Sequence, residues 1–192
     1  MTSTKKPARI LVFSGSTRSE SFNKQLAASA AKVLQSHTND VALIDLADFE
    51  APLYNGDDEA ANGLPPSMTA LKKLFADAQA LVIACPEYNG FLPPLLVNTF
   101  SWLSRPENGE PSQAFTDKIA TIMGASPGGL GGVRVMPRLR DSLAELGVTV
   151  LPRYVTVKSA FNAFDEDGNL SEEADAKMLN AQIEKLLTAL AD

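Results

Sequence analysis

A chain of 192 residues, 45% hydrophobic and 21% charged, is long enough to bury a sizeable core and falls in the range of one ordinary domain. Its 17 Lys and Arg against 23 Asp and Glu leave a net charge of −6 with no basic block, which excludes the electrostatic footprint of a nucleic-acid binder. One cysteine and one histidine exclude a disulfide framework and a Cys/His zinc site, and a lone thiol fits a reducing compartment. The opening "MTSTKKPARI" is positively charged, but the apolar run behind it, Ile10 to Gly15, is too short for a signal peptide or a membrane span. The expectation is a cytoplasmic protein that binds no membrane, forms a single domain over 1–192, and has residues 1–6 disordered.

In chain order, "ARILVFSGS" is a continuous apolar run stopped at Gly15, the pattern of a strand buried on both faces. From Asn23 to Gln35, Leu26, Ala27, Ala30, Ala31 and Leu34 recur at helical spacing, with Ser21 or Ser19 as the cap. "DVALIDLAD" reads as a second strand, and "FEAPLYNGDDEAANGLPPS" as a long loop without a period. Met68 to Asp77 reads as a short helix, "AQALVIACP" as a third strand, and Pro94 to Leu103 continues the alternation with a helix. "DKIATIMGAS" is a fourth strand, Val133 to Leu146 a helix, "GVTVLPRYVTV" a fifth strand, and Ser171 to Ala191 the closing helix. Five apolar strands alternating with helices predict a doubly wound α/β domain, a parallel sheet with helices on both faces.

Such sheets bind ligands beyond the carboxyl ends of their strands, where the strand order reverses. That rule selects three loops, following strands one, three and four. The first, "FSGSTRSESFN", places Ser14, Ser16, Thr17, Ser19, Ser21 and Arg18 before a helix N-terminus, where hydroxyls, backbone N–H groups and a formal charge suit a terminal phosphate. A solvated turn with a helix cap is the alternative. Neither GxGxxG nor GxxxxGK[ST] is present, so both nucleotide fingerprints fail. The second loop sets Glu87, Tyr88, Asn89 and Gly90 between Pro86 and Pro93-Pro94, stiff and polar enough to meet the edge of a flat heterocycle, or else an ordinary connection with Asn89 in a turn. The third sets Gly124, Gly128, Gly129, Gly131 and Gly132 beside Ser126, which admits close approach of a ligand or is a flexible turn.

"GSTRSESFN", "PEYNGFLPPLLVNTFSWLSRP" and "IMGASPGGLGGVRVMPRLRDSL" together resemble the NAD(P)H-dependent FMN reductases, a flavodoxin-like family that includes quinone, chromate and azo-dye reductases. The likeness runs from the first strand through "FDEDGNL", and rests on GSxRxxSxN and PEYN. It implies the flavodoxin-like strand order 2-1-3-4-5. It implies bound FMN, its phosphate held by Ser14, Ser16, Arg18, Ser21, Phe22 and Asn23, its ring lined by Pro86, Glu87, Tyr88 and Asn89 with Ser126 nearby. It implies NADPH or NADH as reductant, a small-molecule acceptor such as a quinone, chromate, an azo dye, free flavin or a ferric complex, and a homodimer or homotetramer. No protein side chain is then an obligatory catalytic acid or base, because the flavin carries the chemistry. Phe91, Val97 and Ser101 depart from the family, which commonly has a tyrosine or other polar residue, a lysine and an acidic residue at these places. They bear on the pocket rim and on assembly.

The remaining chemistry-bearing residues have plain readings. His37 falls at the end of the first helix, as a cap or in solvent. Cys85 closes a buried strand as a small hydrophobe, and the first loop has no cysteine for a low-molecular-weight phosphatase. Trp102 reads as packing or a subunit contact. Arg134, Arg138 and Arg140 meet the phosphates of a pyridine nucleotide, pair across an interface, or form a solvated helix face. Two further classes stand beside the reductase: a flavodoxin-type FMN carrier without nicotinamide oxidation, which typically carries more acid around its flavin, and a non-redox binder of another phosphorylated ligand.

Overall fold

Successive strand residues face opposite cores, and this divides the molecule into two layers of helices around one sheet. The computed structural model describes residues 9–38, 40–106 and 109–191; residues 1–6, expected to be disordered, and Ala8 at the head of the first apolar run lie outside them. The strands are β1 (Ile10–Ser14), β2 (Val41–Ile44), β3 (Ala80–Ala84), β4 (Ile119–Ala125), β5 (Thr149–Val150) and β6 (Val155–Val157). They pair in parallel in the order β2-β1-β3-β4-β5, and β6 also pairs with β4. The helices are α1 (Phe22–Gln35), α2 (Gly56–Asn62), α3 (Pro66–Asp77), α4 (Pro94–Leu103), α5 (Val135–Glu145) and α6 (Glu173–Ala191).

Ile10, Val12, Val82 and Met123 pack with Leu26, Ala30 and Leu34 of α1 and Ile183 and Leu186 of α6. Leu11, Phe13, Leu81, Ile83 and Ile122 pack on the other face with Leu71 and Phe75 of α3, Leu96 and Phe100 of α4, and Leu139 and Leu143 of α5. Each of these side chains larger than alanine, taken wholly out of water, contributes about 1.5–3 kcal/mol. This two-sided burial is why the strands read as unbroken apolar runs.

Three elements differ from the sequence expectation: the second strand, expected through Asp48, stops at Ile44, and Leu46–Asp48 form a 3-10 turn capped by Asp45. The fifth strand is split, because Pro152 has no N–H to give the ladder. β5 and β6 therefore occupy one lane in succession beside β4, and Arg140 of α5 bridges the break, donating to the carbonyls of Val150 at 3.1 Å and Pro152 at 2.9 Å. The loop from Phe49 to Ser67 contains α2, capped by Asn55, whose side chain accepts from the Asp57 N–H at 2.9 Å, and closed by Gly63 at φ 71°. Asp57, Asp58 and Glu59 stand in its first turn, where the helix dipole favours acids. No residue of α2 is buried, so it carries no hydrophobic period to be read. The rest of the loop is pinned to α4: the Asn98 side chain accepts from the Tyr54 N–H at 2.7 Å and donates to the Pro52 carbonyl at 2.9 Å, which Trp102 Nε1 also reaches at 2.9 Å. Trp102 is a packing residue, 1% exposed and edge-on to Tyr54.

Gly124 near the end of β4 lets the strand, α5 and the second loop close together. A Cβ there would stand 2.8 Å from Met136 Cε, 3.1 Å from the Cys85 carbonyl oxygen and 3.3 Å from that of Gly131. Two of these neighbours are backbone, so Gly124→Ala is expected to destabilise the fold by about 1–3 kcal/mol. A lowered urea midpoint at constant m-value would register it, and an unchanged midpoint would show that the loops give way.

Candidate functional site

The three loops picked out from sequence meet at the carboxyl edge of the sheet. The first is joined to β3 by the Gly15 N–H, which donates to the Ala84 carbonyl at 2.9 Å, and a Cβ on Gly15 would sit 2.7 Å from Leu96 of α4. It is joined to β4 by Asn23, whose side chain donates to the Ala125 carbonyl and accepts from the Ala125 N–H, both at 3.0 Å. The second loop meets the third through Glu87, whose carboxylate accepts from the Arg134 backbone N–H at 3.1 Å and from Arg134 Nε at 2.6 Å. Ser126 is fixed to β6 by its N–H, which donates to the Val157 carbonyl at 3.1 Å.

The first loop has donors to spare. Ser14 is 4% exposed and its Oγ has no hydrogen-bond partner among the described residues. The backbone N–H groups of Ser16, Thr17, Ser19 and Glu20 reach no acceptor among the described residues. The Ser21 hydroxyl accepts from the Lys24 N–H at 3.4 Å and caps α1, which leaves its own proton to donate. Arg18 is exposed, and its guanidinium has no acid partner among the described residues. A buried hydroxyl without a partner, a run of uncommitted N–H groups and a helix N-terminus make a cradle for an anion with several oxygens, and this fits the FMN phosphate.

Asn23 ties the first loop to β4 through one donated and one accepted bond to Ala125, which leaves its second Nδ2–H. Phe22 is half-buried, edge-on to Phe161 with ring centroids 5.2 Å apart. Lys24, which the sequence reading missed, donates to the Thr17 carbonyl at 3.2 Å and pairs with Asp45 at 2.6 Å, so it ties the loop to the end of β2. A basic residue in the first helical turn after a hydroxyl-rich loop was the signal available. A cleft of about 410 Å³ lined by Ser14, Lys24 and Asp45 lies on that side. One of about 590 Å³ lined by Thr17, Phe49, Leu95 and Asn98 lies on the other, and neither reaches Glu87, Tyr88, Asn89 or Ser126.

In the second loop, Tyr88 and Phe91 exchange backbone hydrogen bonds at 3.1 and 2.9 Å around Asn89 and Gly90, whose φ values of 54° and 74° are those of a type I′ turn. Asn-Gly is the pair this turn favours, so the position of Asn89 is dictated first by backbone. Tyr88 and Phe91 are exposed on it, and Glu87 is turned under it towards Arg134, its side chain 7% exposed. Cys85 is buried, and burial first, with the Glu87 charge second, pushes its thiol far above the ordinary range. It stays protonated and serves as a packing residue. His37 is exposed at the end of α1, its N–H donating to the Leu34 carbonyl.

Fold and edge geometry together define a flavodoxin-like protein with an anion cradle at its first loop. The family of NADPH-dependent FMN reductases matches residues 8–162. An NAD(P)H-dependent FMN reductase of Pseudomonas aeruginosa is 36% identical over 180 residues, which is 93% of this chain and 92% of that protein. A 2-hydroxy-1,4-benzoquinone reductase of a Burkholderia species is 31% identical over 96% of this chain and 97% of its own. Among solved structures, a flavoenzyme NAD(P)H:(acceptor) oxidoreductase from Paracoccus denitrificans superposes with a TM-score of 0.80 at 26% identity, over 94% of this chain and 96% of that one. The chain belongs to the NADPH-dependent FMN reductase family. Membership makes it an oxidoreductase with FMN as cofactor and NAD(P)H as reductant, and it sets the carrier alternative aside. No described helix is long and apolar enough to cross a membrane.

Because Asn89 sits in left-handed backbone, Asn89→Ala is expected to cost about 1 kcal/mol of stability while Asn89→Gly costs little. Paired thermal melts decide it, and equal losses in the two variants would mean that the side chain, rather than the turn, is what matters.

Proposed function

We propose that this chain is a cytoplasmic, homo-oligomeric reductase, folded as one FMN-binding domain, that oxidises NAD(P)H and delivers the electrons to quinones or similar small acceptors. The observation that carries the reading is the cradle of uncommitted donors around Ser14 at the first loop, on the same carboxyl edge of the sheet as the Tyr88–Phe91 turn. Ser14, Ser16, Arg18, Ser21 and the loop N–H groups hold the phosphate. Phe22 packs beside it, and Asn23 fixes the loop to β4. Pro86, Glu87, Tyr88, Asn89 and Ser126 border the ring, with Glu87 acting through Arg134. Bound there, FMN supplies an N5 that accepts hydride and returns electrons to an acceptor.

The chain's residues orient and enclose rather than exchange protons. The first loop fixes one end of the ligand by charge-assisted hydrogen bonds, and the turn and the glycine-rich loop leave one side open to reductant and acceptor in turn. A Cβ added at Gly128 or Gly129 would meet nothing within 4 Å, so the third loop does not obstruct that side. Quinone-type acceptors are supported by the quinone-reductase relatives, a reducing compartment by the lone free thiol, and self-association by the exposed Val97 and Leu53. Glu87 is neutralised by Arg134, so the second loop offers no acidic docking rim for a cationic redox partner.

Anaerobic stopped-flow mixing of the FMN-loaded protein with NADPH or NADH, then with a quinone, should bleach the flavin band and restore it. Flavin that stays oxidised with both nucleotides would overturn the reading. Arg18→Ala is expected to weaken FMN binding by about 1–3 kcal/mol, measured by flavin fluorescence titration, and unchanged affinity would remove Arg18 from the cradle.

A further inference from the structure

We infer that Arg138 anchors the phosphate groups of the nicotinamide nucleotide; this rests on the reductase reading above. The three arginines of the third loop and α5 are held in different ways. Arg134 is paired with the buried Glu87 carboxylate, and Arg140 is committed to the carbonyls of Val150 and Pro152. Arg138 is exposed, donates through Nη1 to the Arg134 carbonyl at 2.9 Å, and has no carboxylate partner among the described residues. Its guanidinium carbon stands 6.0 Å from the centroid of the Phe91 ring.

A guanidinium over an aromatic face keeps its charge and loses much of its rotational freedom, while its remaining N–H donors can still grip an anion in bidentate fashion. Phe91 is 52% exposed, and its ring is the brace for this arginine. The pair sits at the seam of the second and third loops, where a Cβ on Gly132 would come within 4.0 Å of Glu87 Cβ. This seam lies on the carboxyl edge of the sheet, the edge that also carries the first-loop cradle. The chain has no glycine-rich dinucleotide loop to receive a pyrophosphate. Of the three arginines of the third loop and α5, Arg138 is the one that is neither paired with a carboxylate nor committed to the β5–β6 break.

The test uses FMN-loaded wild type, Arg138→Gln and Arg138→Lys in anaerobic single-turnover bleaching with NADPH, NADH and the phosphate-free N-benzyl-1,4-dihydronicotinamide. Redox-inert NADP⁺ binding by calorimetry is measured alongside, and flavin retention checks that the variants fold. Arg138→Gln should raise the apparent Kd for NADPH and for NADP⁺ about tenfold, leave the benzyl analogue unchanged, and be partly rescued by Arg138→Lys. Loss confined to NADPH places the 2′-phosphate at Arg138; equal loss with NADH places the pyrophosphate there, and both support the inference. Unchanged Kd values, or equal loss with all three reductants, would overturn it while the reductase reading stands. A wild type bleached by none of the three would overturn the reading and the inference together.

Discussion

A parallel strand covered on both faces can place polar chemistry only at its ends, and the architecture here follows from that constraint. The interior of β1 is apolar on both sides until Ser14, the last residue of the strand, brings a hydroxyl to the carboxyl edge. From there the chain turns through a segment whose N–H groups have no ladder to join. The same burial that makes the strand stable thus leaves unspent hydrogen-bonding capacity at the point where α1 begins. Helix N-terminus, hydroxyls and free N–H groups coincide because all three are consequences of ending a buried strand and starting a helix within a few residues.

Keeping that edge open requires the loops to be held apart from one another at fixed distances. Asn23 does this between the first loop and β4, Glu87 with Arg134 between the second and third, and Asn98 with Trp102 for the long segment before α3. Each is a polar contact between segments far apart in sequence, buried at Asn23 and exposed at Glu87–Arg134. Together they make the candidate site a property of the sheet edge as a whole. A flavin enzyme needs such stiffness more than it needs acid–base groups, since its protein supplies orientation and electrostatics.

The strands, the two-sided helices and the three loops were legible in the sequence because each is written in a short-range pattern: unbroken apolar runs, a 3.6-residue period, glycine and proline stops; the strand order was implied by the family resemblance. The hydroxyl-rich first loop was legible for the same reason. α2 was not, since none of its residues is buried and its only marks are Asn55, three acids and Gly63. The break of the fifth strand was marked by Pro152, but that the two halves share one lane depends on their register with Ile119–Ala120 and Met123–Ala125.

Residue type and local spacing settled which side chains have the right chemistry; only the folded chain decided which are free to use it. Asn23 and Ser14 look alike in sequence as polar members of one loop, yet one is bound at both ends of its amide to Ala125 and the other has no partner among the described residues. Three arginines on one stretch separate into a clamp, a counter-ion and an exposed cation. The sequence by itself determined the layers, the loops and the kind of ligand they suit, because burial and backbone preference act locally. The allocation of each polar group to packing or to ligand was decided by tertiary structure, because a hydrogen bond has a fixed capacity and its partners lie tens of residues away.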